Sequence, residues 1–222
     1  TDGSAVIRNL KIREIHVMSA NDETGGVVGR NAGDLKRISV TDMAFVEGKN
    51  RLGGIVGTNT SSGDLDECFS TAVLDAVDGS IDVGGLVGNN SGEIRDSFYY
   101  VLSGPSISGE SLAYVGGITG RSSGLIERTY AVTNGLCALT SAANTGGIVG
   151  GLEGSGEVVD SLWDKDVAQS SVSNLCSEDP LLGAALTSLQ MKTPSSYSSA
   201  WSNLIWSIQA DAYADLLWDP LF

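Results

Sequence analysis

Five blocks of the form Gly-Gly-x-x-Gly recur along this chain: Gly25-Gly26-Val27-Val28-Gly29, Gly53-Gly54-Ile55-Val56-Gly57, Gly84-Gly85-Leu86-Val87-Gly88, Gly116-Gly117-Ile118-Thr119-Gly120 and Gly146-Gly147-Ile148-Val149-Gly150. Their starts are 28, 31, 32 and 30 residues apart. A tandem unit of this size cannot bury its own apolar face, so neighbouring units must stack to make a common core. The similarity continues past each block. A short polar turn follows, with Asn31, Asn59 or Asn90, and then a glycine, an acid and an aliphatic: Gly33-Asp34-Leu35, Gly63-Asp64-Leu65, Gly92-Glu93-Ile94 and Gly156-Glu157-Val158. The fourth unit departs, with Gly124-Leu125-Ile126. Three residues past that aliphatic a small residue precedes an aromatic, as in Cys68-Phe69, Ser97-Phe98 and Thr129-Tyr130.

Within a unit, apolar and polar residues alternate over short runs that stop at Gly, Asn or Asp, which is strand–turn–strand patterning. A unit of about 30 residues then holds about three short strands, one coil of a β-helix. Coils stacked about 4.8 Å apart pair strand to strand in parallel and align equivalent side chains in ladders. The expected fold is all-β: a parallel β-helix (β-solenoid) of about five coils, right-handed by the general preference of parallel crossovers. Val27, Ile55, Leu86, Ile118 and Ile148 form one expected inward row, and Leu35, Leu65, Ile94, Ile126 and Val158 a second. The repeat glycines Gly26, Gly29, Gly54, Gly57, Gly85, Gly88, Gly117, Gly120, Gly147 and Gly150 either supply positive φ or allow close approach between coils. Residues 4–18, with Leu10, Ile12, Ile15 and Val17, read as an incomplete leading coil, and Ile7-Arg8-Asn9-Leu10 echoes Ile94-Arg95-Asp96-Ser97.

The repeats occupy residues 1–163, and residues 164–222 form a C-terminal segment of different character. There, 164–180 read as a loop, and Asp179 as N-cap with Pro180 at the first helical position predicts a helix reaching Gln190. Trp201, Trp206 and Trp218 lie among aliphatics such as Leu204, Ile205, Leu216 and Leu217. They predict a small helix/strand cap over an open solenoid end, with a sugar-binding aromatic platform as the alternative.

The formal net charge is −14, which disfavours nucleic acid and anionic lipid as partners. Residues 1–51 carry eight of the thirteen Lys and Arg against seven acids, so the rod has a more basic start and a strongly acidic remainder. No apolar run is long enough to span a bilayer and no signal-peptide pattern is present, so membrane insertion is not expected. Cys68, Cys137 and Cys176 have neither Cys-x-x-Cys spacing nor nearby histidines for zinc. They admit one disulfide, with Cys137–Cys176 favoured because it would staple the C-terminal segment to the repeats. Three buried thiols are the alternative.

Asp34, Asp64, Glu93 and Glu157 share one repeat position and form an acidic row that calcium would bridge. A solvated face is the favoured reading, because the glycine-aspartate nonapeptide of calcium-binding solenoids is absent. No cofactor is otherwise expected. Asn31, Asn59 and Asn90 are expected to hydrogen-bond along the stack. Asn59-Thr60-Ser61 and Asn89-Asn90-Ser91 are glycosylation sequons on expected exposed turns. His16 is the one histidine, and neither His-Glu-x-x-His nor Gly-x-Ser-x-Gly occurs, so catalysis is not expected.

The pattern resembles the GLUG-motif repeats, named for a Gly-Leu-aliphatic-Gly signature, here Gly85-Leu86-Val87-Gly88. Such repeats occur in large secreted and surface proteins of bacteria and some archaea, including adhesin-like proteins and the non-catalytic portions of immunoglobulin A peptidases. The similarity covers roughly residues 5–163, and the tail is similar to one that follows such repeats, although Tyr213-Ala214-Asp215-Leu216 lacks the proline of the usual Tyr-Pro-x-Leu ending. The resemblance implies an extracellular or cell-surface location and transfers no catalytic residue. The expected role is a structural or adhesive module, including a subunit that binds itself head to tail in a filament or contacts other surface components. The alternative is a carbohydrate- or surface-binding module using Tyr99, Tyr100, Tyr114 and Tyr130.

Overall fold

The computed structural model describes residues 3–221 except 78, 103, 105, 140–141, 170–175, 178 and 180–181. The chain winds as a β-solenoid of five coils and a partial sixth, with parallel ladders between coils. The first coil is built from Val6–Arg13, His16–Met18, Glu23–Gly25 and Val28–Asn31, and the second repeats it with Asp34–Thr41, Phe45–Gly48, Arg51–Gly53 and Val56–Asn59. Each of the first four coils therefore has four faces rather than the three strands expected. From the third coil on, the strand of the first, broad face is divided in two, as in Asp64–Asp66 and Phe69–Ser70. The leading segment forms a full coil over residues 6–31, with Ile7 over Leu35 and Leu10 over Ile38.

Both expected inward rows are present. Leu35, Leu65, Ile94, Ile126 and Val158 lie in register from coil to coil. In the second row the amides of Val27, Ile55, Leu86 and Ile118 donate to the carbonyls of Ile55, Leu86, Ile118 and Ile148 at 2.9–3.0 Å. Ile55, Leu86, Ile118 and Ile148 are wholly buried, and each such side chain contributes roughly 1.5–3 kcal/mol by leaving water.

The repeat glycines have one of their two expected roles. None adopts positive φ. They stand where a Cβ would collide: at Gly54 it would lie 2.3 Å from the Gly85 carbonyl oxygen, and at Gly147 2.0 Å from the Trp163 ring. The positive φ that recurs from coil to coil falls instead at a corner of the broad face, at Asn9, Arg37, Glu67, Asp96, Arg128 and Asp160, with φ between 45° and 58°. A left-handed non-glycine residue is uncommon and bends the strand. Here it recurs in all six coils, and from the third coil on it lies where the two halves of the broad face part.

Among the described residues the C-terminal end is covered by Trp163, Cys176–Ser177 and Ala184–Leu186. Trp163 lies against Gly147, Cys176–Ser177 pairs with the strand Ala142–Gly146, and Ala184–Leu186 pairs with Leu162–Asp164. Cys137 and Cys176 form a disulfide with Cα atoms 5.0 Å apart, and Cys68 is a buried free thiol. The helix expected from Asp179 to Gln190 is not formed: Ala184–Leu186 is a strand, because it extends the broad sheet. Helix α1 spans Lys165–Ala168, within the segment expected to be a loop, and α2 spans Ser188–Met191. Thr187 and Gln190 form a reciprocal capping box on α2. Asp179 is exposed and caps nothing in α2, and Pro180 lies outside the described residues. Among the described residues no helix is long and apolar enough to cross a membrane.

Candidate functional site

The broad face carries the densest side-chain chemistry. Two residues follow its inward aliphatic in each coil, and the second is the left-handed corner. The pairs are Arg8-Asn9, Lys36-Arg37, Asp66-Glu67, Arg95-Asp96, Glu127-Arg128 and Val159-Asp160. Register brings opposite charges together. Lys36 meets Asp66 at 2.5 Å and Glu67 at 3.0 Å, Arg37 meets Glu67 at 2.9 Å, and Arg95 meets Glu127 at 3.2 Å. Arg128 grips Asp96 through Nε and Nη2, both at 2.9 Å. Burial pushes the Glu67 carboxyl up, but hydrogen bonds from Arg37 and Lys36 outweigh it and hold the group low. Sequence reading missed these columns. Their signal was a pair of polar residues after the aliphatic in five of the six coils, with charges of both signs among them.

Beside the corner, Phe69, Phe98, Tyr130 and Leu162 stand in register, the rings stacked at 4.6 and 4.8 Å with planes 6° apart. The tail covers this row as a lateral strap running back along the stack. Tyr213 donates to Asp164 at 2.7 Å, Trp201 to the Asp160 carbonyl at 3.1 Å, Trp206 to the Asp96 carboxylate at 3.0 Å and Trp218 to the Glu67 carbonyl at 2.9 Å. It ends on the first two coils, where Asp219 accepts from Lys11 at 2.6 Å and Ser39 at 2.7 Å. Trp163, Cys176–Ser177 and Ala184–Leu186 thus lie over the end, and Trp201, Trp206 and Trp218 lie along the flank. Trp201 and Trp206 are buried and Trp218 half-buried, so they present no open sugar platform.

Two of the four tyrosines expected to form a platform are buried. Tyr99 is wholly buried, its hydroxyl donating to the carbonyls of Ala72 and Ser106, and Tyr130 lies under the strap. Tyr100 packs edge-on against Tyr213, and the Arg121 guanidinium lies 5.0 Å from the Tyr114 ring. The same Arg121 clamps the wholly buried Asp82 at 2.6 and 3.1 Å.

The acidic row is partly assembled. Asp34, Asp64 and Glu93 are in register, but Leu125 separates Glu93 from Glu157. Burial, then Glu93 and Asp34, raises the Asp64 pKa, while Glu93 pairs with Arg95. Among the described residues no group of three or more His, Cys, Asp or Glu side chains converges on a metal position.

The asparagine ladder is continuous: Asn31 Nδ2 donates to Asn59 Oδ1 at 2.9 Å, Asn59 to Asn90 at 2.9 Å and Asn90 to Ser122 Oγ at 3.0 Å. This corrects the sequon reading at Asn59, which is wholly buried. Asn89 is half-buried and donates to Asp82 at 3.0 Å.

A stretch of 61 residues, 28% of the chain, is 38% identical to Halomucin of Haloquadratum walsbyi (strain DSM 16790 / HBSQ001). That match covers 1% of Halomucin, so the similarity concerns a small piece of a very long protein. No family model matches the chain, and no solved structure matches it. Among the described residues the outward columns are thus largely engaged with one another or with the strap, an arrangement that fixes coil order and rigidity.

Proposed function

We propose that this chain is a structural module of an extracellular or cell-surface protein, a short stiff β-solenoid rod that serves adhesion or a surface assembly. The observation that carries the reading is the strap, which ties the last coil to the first through Asp164, Asp160, Asp96, Glu67 and Lys11. Such lateral bracing suits a part that holds shape under load. The Cys137–Cys176 disulfide supports an oxidising compartment. The partial similarity to Halomucin and the resemblance to GLUG-motif repeats support a surface location. Carbohydrate binding is the weaker reading, because Tyr99, Tyr130, Trp201 and Trp206, four of the rings expected to serve it, are buried. Surface proteolysis of intact source cells, followed by mass spectrometry, tests the proposal. It predicts release of peptides from this chain with Cys137 and Cys176 oxidised. Recovery only from the cytosol, with both thiols reduced, overturns it.

A further inference from the structure

The two ends of the stack are built differently. At the N-terminal end four strand edges lie open on one level. Among the described residues Val6–Arg13, His16–Met18, Glu23–Gly25 and Val28–Asn31 pair only with the following coil. Behind them Ile7, Leu10, Ile12, Ile15, Val17 and Val27 are only half-buried, an end slice of the core. Open edges over apolar side chains template further strands.

The C-terminal end is stepped. Among the described residues Glu157–Val159 is the last strand in its half of the broad face, but Ala184–Leu186 adds another level beyond Leu162–Asp164 in the other half. Among the described residues the second face ends two coils earlier, at Ile107–Gly109. Strand Val6–Arg13 runs across both halves of the broad face. A second copy stacked head to tail would need Val6–Arg8 beside Glu157–Val159 and Leu10–Arg13 one level further out, beyond Ala184–Leu186. One continuous strand cannot lie on two levels about 4.8 Å apart.

Charge gives an independent reason. Lys36 and Arg95 each meet an acid in the coil that follows, whereas Arg8 lies in register with Lys36 and has no ion pair among the described residues. A second copy would place Val159 over Arg8. We infer that the N-terminal face is an interface for a further β-solenoid coil of different sequence, with an aliphatic over Ile7, an inward apolar side chain over Leu10 and an acid over Arg8, and not for a second copy of this chain. The inference rests on the structural-module reading and names the partner of its open end.

The test grafts a copy of residues 64–90 directly ahead of Ser4. Ser4 and Ala5 then separate Asn90 from Val6, as two residues separate Asn31 from Asp34, and Asp66 falls over Arg8. Outward-pointing amides of Val6–Arg13 are expected to exchange about ten-fold more slowly than in the parent. Asp66→Lys within the graft is expected to remove most of that protection. An unstructured graft, trimmed by protease with Val6–Arg13 exchange unchanged, overturns the inference. So does concentration-dependent chain growth of the parent with the same protection, which would assign the face to a second copy. These readouts use purified protein, so a cytosolic location would overturn the functional reading and leave this one standing.

Discussion

The Trp206 indole Nε1 donates to the Asp96 carboxylate at 3.0 Å, although the residues are 110 positions apart. Asp96 is a left-handed corner and is also held by Arg128. The contact therefore joins three parts of the architecture: the bend of the broad face, the charge column between coils and the strap outside. Trp201 and Trp218 repeat the arrangement at the Asp160 and Glu67 corners through backbone carbonyls.

Trp206→Phe keeps most of the apolar contact with Phe98 and Tyr130 but removes the donor to a buried carboxylate. The expected loss is about 1–3 kcal/mol in urea unfolding, and Trp206→Ala is expected to lose about 3–5 kcal/mol. No loss for Trp206→Phe, with the full loss still seen for Trp206→Ala, would show that the hydrogen bond contributes nothing.

Asn59 both donates and accepts in the middle of its ladder. Asn59→Ala is expected to cost about 1–3 kcal/mol by orphaning buried partners. Produced in a glycosylating host, the native chain is expected to carry no glycan at Asn59, as peptide mass spectrometry would show.

Acid pH acts on two carboxylates with opposite signs. The folded pKa of Asp64 is raised, so between its ordinary value and the raised one the native state binds more protons and stability falls as pH rises. The folded pKa of Glu67 is depressed below its ordinary 4.5, so its contribution is present above that value and lost as pH falls through the folded pKa. Asp64→Asn is expected to raise the neutral-pH melting temperature. Glu67→Gln is expected to lower it and to flatten the loss on acidification. Parallel melting curves for both variants would contradict these assignments.

The disulfide closes a sequence separation of 39 residues, which in the chain-entropy account stabilises by about 4 kcal/mol. Cys176→Ser is expected to lower the unfolding midpoint accordingly. Cys68 is wholly buried and its thiol is pushed up to about 12 by burial, so the native protein is expected to resist thiol reagents until it unfolds. Rapid labelling of Cys68 under native conditions would refute its burial.

What was legible in the sequence was what repeats. The rows through Ile55 and Leu65 and the asparagine ladder follow from spacing alone, because stacking turns a sequence period into a spatial column. The glycine role was ambiguous, since close approach and positive φ both favour glycine. The corner at Arg37, Glu67 and Asp96 was illegible because charged residues there adopt an uncommon conformation that register and pairing over-determine. The strap was missed because its partners occur once each at long separations. The capping box of Thr187 and Gln190 was readable, but the Asp179-Pro180 signal drew the helix too early.

The central claim is that successive units lie over one another in parallel register. Nuclear magnetic resonance contacts between backbone protons test it most directly. The account predicts contacts linking Leu65 to Ile94 and Ile94 to Ile126 in the pattern of parallel strands. Contacts joining Ile94 instead to Val87 in an antiparallel hairpin would contradict it.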